Sequence, residues 1–158
     1  MRGRKVAGFI IGAAAFIVFS LWSGIASAAC TVTTTSVNFG SYDVFLTTAT
    51  DVNGSVSVTC TDPGRTRVTI AIGQSPNSGG FDPRQMKHST LPDLLDYNLY
   101  KNRKRTRIWG DGTGGTFTVT RRVRQNRTVT RNIYARITPA QDVSAGSYFD
   151  TLTVTITW

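Results

Sequence analysis

The chain has 158 residues and a mass of 17.2 kDa. Eighteen Lys and Arg stand against nine acids, for a net charge of +9, with one His, two Cys and a mean hydropathy of -0.12. That length accommodates one ordinary domain and excludes two with separate cores.

The first element in chain order is a leader. Met1–Lys5 is basic, Val6–Trp22 is largely apolar, and Ala26-Ser27-Ala28 is the small-x-small pattern that signal peptidase accepts. We therefore expect residues 1–28 to be a cleaved signal peptide and residues 29–158 to be the mature domain. The alternative is a transmembrane anchor, because an apolar stretch of about 17 residues approaches the ~20 that span a bilayer. Against it, no positive stop-transfer flank follows. A lipobox ending at Cys30 is disfavoured because Ser27 stands where an aliphatic residue belongs.

Cleavage after Ala28 leaves 130 residues with a net charge of +6. All nine acids are Asp, none is Glu, and 24 Thr follow residue 30. Glu favours helices, whereas the branched Cβ of Thr suits a pleated surface. Composition thus predicts an all-β exported domain. In such a chain an even pair of cysteines reads as a disulfide, here Cys30 to Cys60 rather than two free thiols. Closing a loop of about 31 residues stabilises by roughly 3–4 kcal/mol. No CxxC and no His partner call for a metal or a cofactor.

No apolar pattern at helical spacing persists after residue 28; the period is two. Cys30 and Val32 fall on even positions, Val37 and Phe39 on odd ones. The parity change across Thr33–Ser36 predicts a bulge or a strand that bends between sheets. Val56, Val58 and Cys60 alternate with Ser and Thr, the turn Asp62-Pro63-Gly64 follows, and Val68, Ile70 and Ile72 form the next strand. Ser75–Pro92 has loop composition, is expected to lack regular structure, and contains His88, expected at the surface. Further strands are expected at Leu94–Tyr100, Arg107–Trp109, Gly115–Thr120 and Val129–Ile137, with a turn over Gly110–Gly115. In Thr151–Trp158 every even residue is apolar and every odd one is Thr, the pattern of a strand with one buried and one wet face. About seven short strands at such spacings predict a β-sandwich of immunoglobulin-like size. A chain that stops on its most strand-like segment leaves that segment as an exposed edge, which invites pairing.

Four segments in this order resemble the spore coat protein U domain, the subunit domain of archaic chaperone-usher (Csu-type) pili: Cys30 with Val37-Asn38-Phe39-Gly40-Ser41-Tyr42-Asp43; Val56-Ser57-Val58-Thr59-Cys60; Leu95–Tyr100 followed by Trp109–Thr113; and Gly146–Thr155. The resemblance runs from Cys30 to Trp158. It implies an incomplete immunoglobulin-like sandwich lacking its final strand. A periplasmic chaperone would fill the gap in transit, an outer-membrane usher would export the subunit, and the N-terminal extension of another pilus subunit would replace the chaperone's strand at the cell surface. The acceptor groove would then lie along Leu152, Val154, Ile156 and Trp158, with Val32 and Val37 on the opposite wall. Only Ala29 separates the expected cleavage site from Cys30, so the chain is expected to accept a strand without donating one and to sit at the end of a fibre.

The positive charge gathers in the second half, at Arg103, Lys104, Arg105, Arg107, Arg131 and Arg136 and along Arg121, Arg122, Arg124 and Arg127. The last four are candidate contacts for an anionic polysaccharide; the plainer reading is a solvated face. Arg121–Arg124 has no interleaved aromatics, which argues against nucleic acid. Asp93 and Asp96 have no partners for a glycosidase site. Asp111-Gly112-Thr113-Gly114-Gly115 lacks the Lys and following helix of a phosphate loop, and reads as a turn. No constellation supports an enzyme. The sequence therefore predicts a structural or adhesive fimbrial subunit, the alternative being a free secreted module that binds anionic glycans.

Overall fold

The alternation of branched and hydroxyl residues resolves into nine strands in a computed structural model that describes residues 29–158. The expected signal peptide, residues 1–28, lies outside the described residues. The strands are β1 (Cys30–Thr35), β2 (Thr50–Cys60), β3 (Arg65–Ile72), β4 (Arg84–His88), β5 (Leu94–Tyr100), β6 (Val119–Arg124), β7 (Thr128–Ile137), β8 (Tyr148–Phe149) and β9 (Val154–Thr157), with no helix among the described residues. They form two antiparallel sheets, one of six strands in the order β1-β2-β7-β5-β4-β8 and one of three in the order β6-β3-β9.

The inner faces are those the period-two pattern marks. Val56, Val58, Cys60, Ile133, Ala135, Ile137, Leu95 and Leu99 of the large sheet meet Val68, Ile70, Ile72, Val119 and Val123 of the small one, all buried. At about 1.5–3 kcal/mol per buried aliphatic side chain, this layer is the main source of stability. Trp109 is fully buried between the sheets, donating its indole N–H to the carbonyl of Ile70 at 3.1 Å and its backbone N–H to Leu99 at 2.9 Å. The disulfide joins Cys30 to Cys60, directly opposite residues of β1 and β2.

Three expectations need correction. Ser75–Pro92 is not irregular throughout, because it contains β4, whose alternation is made by Arg84, Met86 and His88 instead of aliphatic residues. Arg84 is buried and donates to the carbonyls of Gly73 and Trp109 at 2.8 Å, so a charged side chain takes an inward position. His88 is likewise buried: its Nδ1 accepts the N–H groups of Thr90 and Leu91 at 3.1 and 2.9 Å, leaving Nε2 to face the Ala145 carbonyl. Finally, Arg107–Trp109 and Gly115–Phe117 make only isolated bridges, and the regular strand expected at Gly115–Thr120 begins at Val119 and runs to Arg124. Gly112, Gly114 and Gly115 all have positive φ, which commits that stretch to the turn. Asp111 caps it by accepting the backbone and hydroxyl of Thr113.

Candidate binding groove

β1 follows β2 only as far as the pair Thr35–Ser55. There the inward parity changes: Cys30 and Val32 are half-buried, Thr33–Ser36 are all exposed, and Val37 and Phe39 turn inward again. The bend passes over Gly54, where an added Cβ would stand 2.8 Å from the Val37 side chain and 2.9 Å from the Thr35 carbonyl. Only glycine allows the chain to leave the sheet so close to β2. From Ser36 onward the segment lies outside either sheet.

The other side of the opening is the last stretch of chain. Gly73 N–H donates to the Thr153 carbonyl at 2.8 Å, and β9 pairs with β3 from Ile72–Val154 to Thr69–Thr157. Leu152, Val154 and Ile156 are half-buried while the intervening Thr are exposed, as the alternation predicts. β9 is an edge strand of its sheet.

Between these walls lies a cavity of about 410 Å³, with Val37 and Phe39 on one side and Phe149, Leu152 and Val154 on the other. Its floor is Ile72, Met86, Tyr97, Leu99 and Ile133. A second cavity of about 990 Å³ continues it along Ser36–Val44 and Val143–Tyr148. Of the residues predicted from sequence, Val37, Leu152 and Val154 are brought together here. Val32 and Ile156 lie further along their strands, opposite Val58 and Ile70, and Trp158 is half exposed beyond the end of β9. The period-two reading could not separate these, because every inward residue of an edge strand carries the same signal.

Polar fastenings hold the walls, and sequence reasoning missed them. Asp150 accepts the Tyr97 hydroxyl at 2.7 Å and the Asn77 amide at 3.2 Å. Burial, and then the Asp150 carboxylate, push the Tyr97 phenol well above its ordinary pKa, so it remains a donor. Phe39 meets the Tyr97 ring edge-on with centroids 5.9 Å apart. On the far wall, Tyr42 accepts the Gln141 N–H at 2.9 Å, Asp93 accepts the Ser144 N–H at 2.9 Å, and His88 stacks edge-on against Tyr148. The Ser144 hydrogen bonds hold the Asp93 carboxyl below its ordinary pKa. Asp93 and Asp96 are therefore fastening groups; Asp96 accepts the Gln85 amide at 2.8 Å.

The arginines predicted as one stripe are divided by β6. Arg121 has the strand parity of the buried Val119 and Val123 but is itself exposed, Arg122 and Arg124 point the other way, and Arg127 lies in the turn before β7. On the outer face the register sets Arg122 opposite Arg67 and Arg124 opposite Arg65. Sequence reasoning did not include Arg65 and Arg67, because only strand pairing makes them neighbours.

A two-sheet, all-β domain with an apolar groove along an edge strand is the class of protein that this geometry defines. The spore coat protein U domain model matches residues 20–155, and the chain belongs to that family. Protein U of Myxococcus xanthus is 32% identical over 133 residues, covering 78% of this chain and 72% of that protein. A chain of the CsuC–CsuE chaperone–tip adhesion subunit pre-assembly complex from archaic chaperone-usher Csu pili of Acinetobacter baumannii superposes with a TM-score of 0.55 at 22% identity. The match covers 83% of this chain and 40% of that one, so the likeness is one of fold. HdaB, the minor tip subunit of the E. coli Hda pilus, gives a TM-score of 0.43 at 13% identity over 80% of this chain and 79% of its own. The family is one of structural, non-enzymatic proteins.

Proposed function

We propose that this chain is an exported subunit of a chaperone-usher surface fibre, and that the groove between Val37 and Leu152–Val154 accepts a β-strand from another chain. The observation that carries the reading is an apolar groove lying along the edge strand β9. An extended segment laid there adds main-chain hydrogen bonds to the edge and inserts alternate side chains over Ile72, Leu99 and Ile133. Four or five such side chains represent on the order of 10 kcal/mol of gross burial before ordering costs. A periplasmic chaperone supplies the strand in transit, an usher exports the subunit, and a neighbouring subunit supplies the strand at the cell surface. Whether this chain also donates a strand depends on where its leader is cut, since cleavage after Ala28 leaves only Ala29 before Cys30; N-terminal sequencing of the exported protein decides it.

The test is capture of a synthetic peptide of alternating apolar and polar residues. The expected result is a raised melting temperature that disappears when the peptide's apolar positions are replaced by Ser. An unchanged melting temperature at saturating peptide refutes the reading. A second reading rests on the outer face: Arg65 opposite Arg124 and Arg67 opposite Arg122 set like charges in direct register, which destabilises a sheet unless an anionic surface compensates. An anionic polysaccharide would do so. Loss of heparin retention in the double variant Arg67→Ser, Arg122→Ser is the expected result, and unchanged retention excludes that face.

A further inference from the structure

β6 and β7 each interrupt an inward apolar row with arginine. Along β6 the row is Val119, Arg121, Val123, and along β7 it is Val129, Arg131, Ile133, Ala135, Ile137. The cross-strand partners of the two arginines, Val68 and Val56, are fully buried. Two guanidinium groups thus occupy positions where the pattern of both sheets calls for aliphatic side chains. Arg121 is exposed there and Arg131 is half-buried, so it is the Arg131 charge that is retained at a cost unless something pairs with it.

No carboxylate is in place to do so. Arg121 and Arg131 border a cavity of about 210 Å³ with Lys101, Trp109, Val119, Thr120, Thr130, Asn132 and Tyr134, and no Asp lines it. The cations find other partners instead. Lys101 donates to the Thr118 carbonyl at 2.9 Å and sits over the Phe117 ring, which Arg107 also approaches. Arg121 donates to the carbonyl of its own neighbour Thr120 at 2.8 Å. The Nε of Arg131 is buried and makes no hydrogen bond. Burial, and then the positive charges of Arg107 and Arg121, hold the Lys101 ammonium below its ordinary pKa, the mark of a cluster of one sign.

We propose that this cavity binds a compact oxyanion, a sulfate or phosphate group, between Lys101, Arg121 and Arg131. Tetrahedral oxyanions accept several charge-assisted hydrogen bonds at once, and guanidinium groups meet them in bidentate fashion. The volume far exceeds the ~30 Å³ share of one water. The site is on the opposite side of β6 from the Arg122 and Arg124 face, and it does not depend on the groove reading.

The test is titration of the ¹⁵N-labelled full chain with sodium sulfate and with sodium phosphate, against sodium chloride at matched ionic strength. The expected result is a saturable shift of the Arg131 Nε–H signal and of the amides of Thr130 and Asn132 that chloride does not produce. Arg131→Leu restores the apolar row and is expected to stay folded, with a melting temperature no lower than that of the parent, while weakening anion binding about ten-fold or more, the worth of one charge-assisted hydrogen bond. Should that variant not fold, Arg121→Thr serves the same comparison. A sulfated and a phosphorylated monosaccharide form the remaining arms: saturation at lower concentration than the free ions identifies an anion carried on a glycan, and equal saturation identifies the ion itself. Shifts that track chloride, or that survive both pocket substitutions and vanish with Arg67→Ser, Arg122→Ser, overturn the proposal.

Discussion

Arg84 offers the sharpest test of how this fold is held, because it is fully buried with no carboxylate in ion-pair contact. Its Nε and one terminal nitrogen converge on the Gly73 carbonyl at 3.1 and 2.8 Å, the same nitrogen reaches Trp109 at 2.8 Å and Ile72 at 3.3 Å, and the other donates to Asn98 at 3.0 Å. One side chain thus ties the end of β3 to β5 and to the Trp109 segment. Arg84→Met keeps the stem but leaves the carbonyls of Gly73 and Trp109 facing an apolar group, at about 1–3 kcal/mol each. Loss of the Asn98 contact adds to this, while the relief of not burying a guanidinium offsets part of it, so the expected loss is about 3–5 kcal/mol. That is a large share of the ~5–15 kcal/mol typical of a whole domain. Arg84→Lys should recover less than half, since a single ammonium cannot fork between Gly73, Trp109 and Asn98. Urea unfolding of the full chain with an unchanged m value is the assay. A loss below about 1 kcal/mol for the Met variant would refute the idea that the guanidinium is a structural tie.

Replacing Cys30 and Cys60 together by Ser frees a 30-residue separation and should cost roughly 3–4 kcal/mol, read as a fall in urea midpoint that dithiothreitol reproduces in the parent. Gly146→Ala places a Cβ against Nε2 of His88 and should displace the imidazole from Ala145, visible as altered His88 ring signals and a loss of about 1–3 kcal/mol. The Arg136 hydrogen bond, followed by the charges of Arg105 and Arg136, holds the Asp51 carboxyl below its ordinary value of 3.8. Its stabilisation is therefore complete above pH 3.8 and is lost as the pH falls through the lowered folded value. Because the pair is about one-third exposed, Asp51→Asn should remove no more than ~1 kcal/mol, and only that part of the acid dependence.

What was legible in the sequence was periodicity. Val56–Cys60, Val68–Ile72 and Leu152–Ile156 alternate cleanly because their inward residues are aliphatic, and the parity change at Thr33–Ser36 marked the bend over Gly54. β4 was hidden because its inward residues are Arg84, Met86 and His88, and the partners that accommodate Arg84 and His88 include Gly73, Asn98, Trp109 and Ala145, distant in sequence, which no local pattern displays. The Arg65–Arg124 and Arg67–Arg122 pairs were hidden for a related reason: register between β3 and β6 is a long-range fact. Arg121 was grouped with Arg122 by adjacency, although neighbouring residues on a strand face opposite ways. The groove walls were partly legible, whereas the Asp150–Tyr97 and Gln141–Tyr42 fastenings were not.

The groove's floor and walls differ in a way that shapes its energetics. Ile72, Leu99 and Ile133 on the floor are at most 5% exposed, already shielded by their neighbours, while Val37, Phe39, Leu152 and Val154 on the walls are only half-buried. A strand laid between them therefore gains chiefly from wall contacts and from its own inserted side chains, not from sealing an open core. It follows that the walls can be weakened for binding with little effect on the fold itself. Leu152→Ser removes one half-buried apolar side chain, about half of the 1.5–3 kcal/mol that complete burial represents, and should lower intrinsic stability by about 1 kcal/mol. Peptide capture loses the remaining burial of Leu152 together with its contact to the inserted side chain, and should weaken about ten-fold or more. Ile133→Ser on the floor should do the reverse, unfolding the domain by several kcal/mol as a buried hydroxyl and a cavity are created together. Peptide titration and urea unfolding of both variants separate the two effects; equal losses of stability at Leu152 and Ile133 would show that floor and walls form one undivided core.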